Sequence, residues 1–138
     1  MSVRGTRTGA VLEQTILPVL RAGGYGVACQ VRIGKRPGGG THFVDAVVSR
    51  GERRFLVSLK WQQVSGTAEQ KVPFEVICLA DAVAGGSFDC AYLVLGGEGW
   101  KLREFYVSGE LRRYMPTTDR VEVVTLERFI TLANRNEL

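Results

Sequence analysis

His42-Phe43-Val44-Asp45-Ala46-Val47-Val48-Ser49-Arg50-Gly51-Glu52-Arg53-Arg54-Phe55-Leu56-Val57-Ser58-Leu59-Lys60 decides how this chain is read. Two apolar runs, about 42–49 and 53–61, flank the turn signal Arg50-Gly51-Glu52, which predicts two adjacent strands. Each run carries one charge among apolar neighbours. Asp45 lies between Val44 and Ala46, and Lys60 follows Phe55, Leu56, Val57 and Leu59. Ser58 and Lys60 are two apart, so both leave one strand face while Val57 and Leu59 leave the other. An unpaired charge is costly to bury. Either the strand ends at Lys60 and the ammonium reaches solvent, or Asp45 and Lys60 meet across neighbouring strands. An acid and a lysine at one point can hold a divalent metal and a phosphate. Two charges inside two consecutive apolar strands point to a site.

Working outward, residues about 8–22 read as a helix, with Leu12, Ile16, Val19 and Leu20 on one face and Gly23-Gly24 as the stop. Pro18 predicts a kink there. Residues about 25–33 alternate, with Val27, Cys29, Val31 and Ile33 on one side of a strand. Gly34 to Thr41 is a loop. A helix is expected within 67–84, entered through Ser65-Gly66-Thr67, with Pro73 marking its first turn or a kink. Asp89 to Leu95 reads as a buried strand, about 100–115 as partly helical, 121–124 as a strand and 126–133 as a closing helix. The order α-β-β-β-α-β-α-β-α predicts an α/β domain with a mixed central sheet flanked by helices.

The 138 residues suffice for one domain, 1–138, with a real core. At 45% hydrophobic and 23% charged, the chain is globular rather than disordered. No apolar run is long enough for a bilayer and no signal-peptide pattern opens the chain, so a cytoplasmic location without membrane contact is expected. Cys29, Cys78 and Cys90 form no C-x-x-C pair, which argues for buried, reduced thiols over a disulfide framework or zinc site. The net charge of +4 suits an anionic partner. Arginine, which dominates the basic residues, favours forked phosphate contacts.

A helix, three meandering strands, a helix and a strand, with Asp45 on the second strand and Lys60 on the third, resemble the core of the PD-(D/E)XK nuclease superfamily. The resemblance covers residues about 8–95. It implies a restriction-endonuclease-like αβββαβ core and a Mg²⁺-dependent DNA endonuclease, with Mn²⁺ able to substitute. Asp45 matches the family aspartate and Lys60 the lysine. Ser58 stands where a second acid is usual, and some restriction enzymes of this kind take the missing acid from the next helix. Glu69 and Glu75 are the candidates. They are six apart, so one straight helix cannot aim both at one spot. The separation from Lys60 to Glu75 is closer to that of the family's migrated acid, so the resemblance favours Glu75, and Glu69 stays open. Some members place a glutamate on the first helix beside the metal. Glu13 occupies such a position here.

The catalytic candidates are therefore Asp45, Ser58, Lys60, Glu75, Glu69, Glu13 and Gln62, with Asp45, Glu75 and Glu13 as metal ligands. Gln62 continues the face of Lys60. The mechanism implied is metal-assisted hydrolysis giving a 3′-hydroxyl and a 5′-phosphate, with Lys60 orienting the attacking water and offsetting charge. Lys35 and Arg36 beside the Gly38-Gly39-Gly40 loop, and Arg4 and Arg7 near the N-terminus, are the DNA-contact candidates. That loop is no P-loop, because no lysine followed by serine or threonine succeeds it. His42 reads as structural, and Trp61 and Trp100 as core. Small nucleases of this kind usually cut as dimers, so a homodimer or higher homo-oligomer is expected. A Holliday-junction resolvase and a restriction or homing enzyme both fit. The competing reading is a catalytically inactive DNA-binding or assembly module on the same fold, which gains weight from Ser58.

Overall fold

The computed structural model describes residues 6–138. A single mixed sheet runs β1 (Gly26–Lys35), β2 (Thr41–Arg50), β3 (Arg53–Trp61), β4 (Cys90–Gly96) and β5 (Val121–Thr125), in that spatial order. β1–β2 and β2–β3 are antiparallel, β3–β4 and β4–β5 parallel. The helices are α1 (Thr6–Val11), α2 (Leu17–Ala22), α3 (Ala68–Ala84), α4 (Arg103–Val107) and α5 (Leu126–Asn134). The expected element order is present, and the sheet carries helices on both faces.

Each sheet face has its own core. On one, Leu12, Ile16, Leu17 and Leu20 pack with Ala46, Val48, Phe55, Val57 and Leu59, and Phe129 and Ala133 of α5 join them. An edge-to-face aromatic series, Tyr25–Phe55–Tyr92–Phe129, runs through this layer with centroid spacings of 6.1, 5.4 and 5.6 Å. On the other face, Val72, Val76, Leu79 and Val83 of α3 cover Leu56, Leu93, Leu95 and Val123, beside Trp100 and Tyr106.

Both prolines in helices leave a readable mark. Pro18 has no N–H for the carbonyl four residues back, and its ring crowds that carbonyl. The first helix accommodates it with a π turn, Leu12–Ile16, after which Leu17 N–H reaches Leu12 O. Pro73 lies inside α3, past the first turn. It cannot donate to the Glu69 carbonyl, and the Tyr106 hydroxyl donates to that oxygen instead at 2.7 Å.

The expected alternation of β1 fails. Val27 packs on the α5 side, whereas Val31 and Ile33 pack on the α3 side. The switch falls at Gln30, whose φ is +52°. The pairs Cys29↔Ala46 and Val31↔Val44 set Gln30 opposite Asp45. β2 changes face at the same level, because Ala46 and Val48 lie in one core and Val44 in the other. The β2–β3 ladder ends beside it, at Ala46↔Val57.

The cysteines also differ from expectation. Cys78 is buried, but Cys29 is exposed and Cys90 half-buried. Cys29 sits on edge strand β1, where little covers it. Trp100 is core as expected, whereas Trp61 is half-exposed at the end of β3 with the Arg7 guanidinium 5.4 Å over its ring.

A left-handed backbone at a non-glycine residue costs roughly 1–2 kcal/mol, most for β-branched side chains. Gln30 is exposed, so a replacement there loses no packing. Gln30 already bears much of that cost, so Gln30→Val should destabilise the protein further, by up to about 1 kcal/mol in chemical denaturation, despite its higher strand propensity, whereas Gln30→Gly should not. A Gln30→Val protein as stable as wild type would mean an ordinary strand at that position.

Candidate active site

The turn in β2 decides what the site contains. Regular alternation would send His42 to the α5 side with Ala46 and Val48. The change of face at Asp45 brings His42 and Val44 to the α3 side, where β3 presents Ser58 and Lys60. Asp45 is buried, and its Oδ2 accepts a hydrogen bond from the Leu59 N–H at 2.7 Å. The carboxylate thus stands beside the backbone link between Ser58 and Lys60, beyond the point where the β2–β3 ladder stops.

α3 supplies the second acid. Glu75 is buried, and four side chains surround its carboxylate. The Ser58 hydroxyl donates to Oε1 at 3.3 Å. The buried His42 Nε2 lies 3.8 Å from Oε1, longer than a hydrogen bond. Arg36 Nη1 is 3.5 Å and Lys60 Nζ 4.0 Å from Oε2. Burial pushes the Glu75 pKa up, but His42, Lys60 and Arg36 together outweigh it and hold the group at about 2. Glu75 is therefore ionised throughout the physiological range.

The other sequence candidates lie outside this cluster. Glu69 is buried, and its Oε1 accepts the backbone N–H groups of Lys101, in a short contact, and of Leu102, at 3.3 Å. With the Tyr106 bond to its carbonyl, Glu69 docks the α4 segment onto α3. Gln62 follows the last residue of β3, and its Nε2 donates to Gly99 O at 2.8 Å. The strand face carrying Lys60 does not continue, because Gln62 turns into the loop that Gly97 and Gly99 close. Added Cβ atoms there would meet backbone at 2.4 and 2.5 Å. Glu13 is exposed on the π turn, in a helix that packs on the opposite sheet face. Lys35 is exposed at the end of β1, and Arg7 rests on Trp61. Arg4 lies outside the described residues. Arg36, a DNA-contact candidate, contacts Glu75. His42, read as structural from its sequence, joins the cluster. Its closeness to Asp45 was the sequence signal for it, but the change of strand face that turns it inward was not legible.

Two buried carboxylates and a hydroxyl form a hard oxygen set. Among the described residues no three His, Cys, Asp or Glu side chains gather to hold a metal ion by themselves. Mg²⁺ does not require such a cage, since it typically binds one or two carboxylates and keeps waters or substrate phosphate oxygens. The donor set of Asp45 and Glu75 fits that habit. A groove of about 480 Å³ beside β5, lined by Glu122, Thr125 and Arg128 among others, includes none of these residues.

The architecture agrees with the family comparison. A model of the PD-(D/E)XK nuclease superfamily domain matches residues 4–137, and the chain belongs to that superfamily. No curated protein matches. Among solved structures, one described as a protein of unknown function, AF1548, aligns with a TM-score of 0.48 at 10% identity, over 80% of this chain and 54% of that one. The chain thus spans about half the length of that protein. No helix among the described residues is long and apolar enough to cross a membrane.

Glu75 has a folded-state pKa below its ordinary value. Its stabilising effect is therefore complete above about pH 4.5 and disappears as pH falls toward about 2. Glu75→Gln should lower stability at pH 7 by roughly 3 kcal/mol. It should also flatten the loss of stability on acidification through that window, read by denaturant titration at stepped pH. Parallel acid profiles for the two proteins would remove Glu75 from the pH response.

Proposed function

We propose that this chain is a Mg²⁺-dependent DNA endonuclease that acts as one nuclease unit and hydrolyses phosphodiester bonds. The observation that carries this reading is the assembly of Ser58, Lys60 and the ionised Glu75 beside an Asp45 bonded to the Leu59 amide. In it the acid missing at Ser58 is supplied by the following helix, and Ser58 itself aims that acid through a hydrogen bond. Glu69, committed to the Lys101 and Leu102 amides, is not the replacement.

Asp45 and Glu75 would hold the Mg²⁺, with Mn²⁺ able to replace it. A bound ion there supplies charge neutralisation and a more acidic water. The rest belongs to the chain. Lys60, fixed at the end of a central strand with its side chain 27% exposed, can meet both solvent and phosphate. It orients the attacking water and offsets charge on the phosphate as the bond breaks. Ser58 orients the Glu75 carboxylate from the buried side through its hydrogen bond, with His42 packed 3.8 Å from the same oxygen. Exposed Lys35 and the net charge of +4 suit a polyanion. The reading includes a cytoplasmic location and a homodimer or higher homo-oligomer, with either junction-resolving or site-specific restriction or homing specificity.

A second reading, an inactive DNA-binding or assembly module, draws on the same cluster. Glu75 already faces two cations, and no three-ligand metal group forms among the described residues.

Supercoiled plasmid, linear duplex, flap and four-way junction, each incubated with Mg²⁺ or with chelator, separate the two. Wild type should cut at least one substrate in a metal-dependent way. Lys60→Ala should lose about 10²-fold or more in rate while still binding DNA. Metal-independent DNA binding without cleavage of any substrate would favour the module, and equal rates for both proteins would remove Lys60 from the chemistry.

A further inference from the structure

The Glu75 carboxylate faces more positive charge than it needs. Arg36 and Lys60 share its Oε2. Taken formally, Asp45 and Glu75 contribute two negative charges and Lys60 and Arg36 two positive, so the cluster is neutral. A site that collects a divalent cation unaided presents an excess of negative charge, and this one does not.

Arg36 differs from the other partners in what holds it. Ser58, Lys60 and His42 stand on the central strands β3 and β2. Arg36 follows the last residue of β1 and closes the hairpin tip. Its N–H donates to Gly40 O at 2.6 Å, and its carbonyl accepts from Gly39 N–H at 2.9 Å. Between them, Gly38 and Gly39 adopt φ of +95° and +103°, a region that glycine enters without strain. The Arg36 side chain is 31% exposed, so it reaches the buried carboxylate from the solvent side. A guanidinium binds phosphate through paired, charge-assisted bonds. Its 3.5 Å contact with Glu75 is a single, long one.

We infer that Arg36 is a substrate-exchanged latch: without nucleic acid it occupies the Glu75 carboxylate, and a backbone phosphate draws it away, so that divalent cation and nucleic acid enter the site together. This rests on the nuclease reading above. Release of Arg36 leaves the cluster one unit negative just as the phosphate arrives, which favours the cation. Because coupling between two ligands is reciprocal, the cation must tighten nucleic-acid binding by the same factor. An ion pair with a purely structural role would have a different signature. Its removal would change cation affinity equally with and without nucleic acid.

The test is Mn²⁺ binding, followed by electron paramagnetic resonance, to full-length wild type, Arg36→Ala and Arg36→Lys. Each protein is measured alone and with a phosphorothioate-linked duplex, which keeps the backbone charge and resists hydrolysis. In wild type the duplex should tighten Mn²⁺ about tenfold or more. Arg36→Ala alone should bind Mn²⁺ about tenfold tighter than wild type alone, and the duplex should then add little. Arg36→Lys, which keeps the charge, should bind Mn²⁺ alone as weakly as wild type. The latch is overturned if Arg36→Ala alone binds Mn²⁺ no tighter than wild type, or if the duplex tightens Mn²⁺ equally in both. Cleavage of an ordinary duplex by wild type keeps the two ideas separate. Cutting without the coupling difference leaves the nuclease reading standing and removes the latch, and the coupling difference without cutting does the reverse.

Discussion

One buried carboxylate organises the chemistry of this protein. Glu75 sits in the α3 layer, where an unpaired ionised group would be far too costly. It stays ionised because a serine, a histidine, a lysine and an arginine from three other segments converge on it. Those segments are the tip after β1, strand β2 and strand β3. The carboxylate thus ties the hairpins to the helix that crosses over to β4. Each partner also limits what Glu75 can do. Ser58 sets its orientation from inside, with His42 packed beside it, while Lys60 and Arg36 stand between it and solvent.

The second constraint is the break in β2. A regular strand would keep Asp45 in the ladder and turn His42 toward the α5 layer. The left-handed Gln30 on the neighbouring strand, the face change between Val44 and Ala46 and the end of the β2–β3 ladder all fall at one level. Just past the end of the β2–β3 ladder, the Leu59 N–H donates to Asp45. Backbone strain of this kind persists where the surrounding structure enforces it, and it concentrates at functional sites. Here its result is concrete. Ser58, Lys60 and His42 become neighbours of one helix glutamate, and Asp45 is held at the Leu59 amide between Ser58 and Lys60.

Much of this was legible in the sequence. The element order and the mixed, helix-flanked sheet followed from apolar periodicity and glycine punctuation. Asp45 and Lys60 stood out because a charge inside an apolar strand has no cheap explanation. Glu75 over Glu69 was favoured by the resemblance, through its separation from Lys60. The structure places Glu75 in the cluster and turns Glu69 to the Lys101 and Leu102 amides. Three things were hidden. The φ of Gln30 has no signature in a residue that any strand could carry, so the inward turn of His42 was not foreseen. Arg36 looked like a surface base, and only the fold of the hairpin tip brings it to Glu75. Tyr106 could not be matched to Pro73 before the two segments were known to touch.

The central claim is that an acid from α3 serves where the strand motif offers only Ser58. Moving the acid back tests it most directly, in single-turnover Mg²⁺-dependent cleavage by Glu75→Ala and by the double variant Ser58→Glu/Glu75→Ala. The account predicts that the single variant loses about 10²-fold or more and that the double variant regains at least about tenfold of it. A Glu75→Ala protein that cuts at the wild-type rate would contradict it.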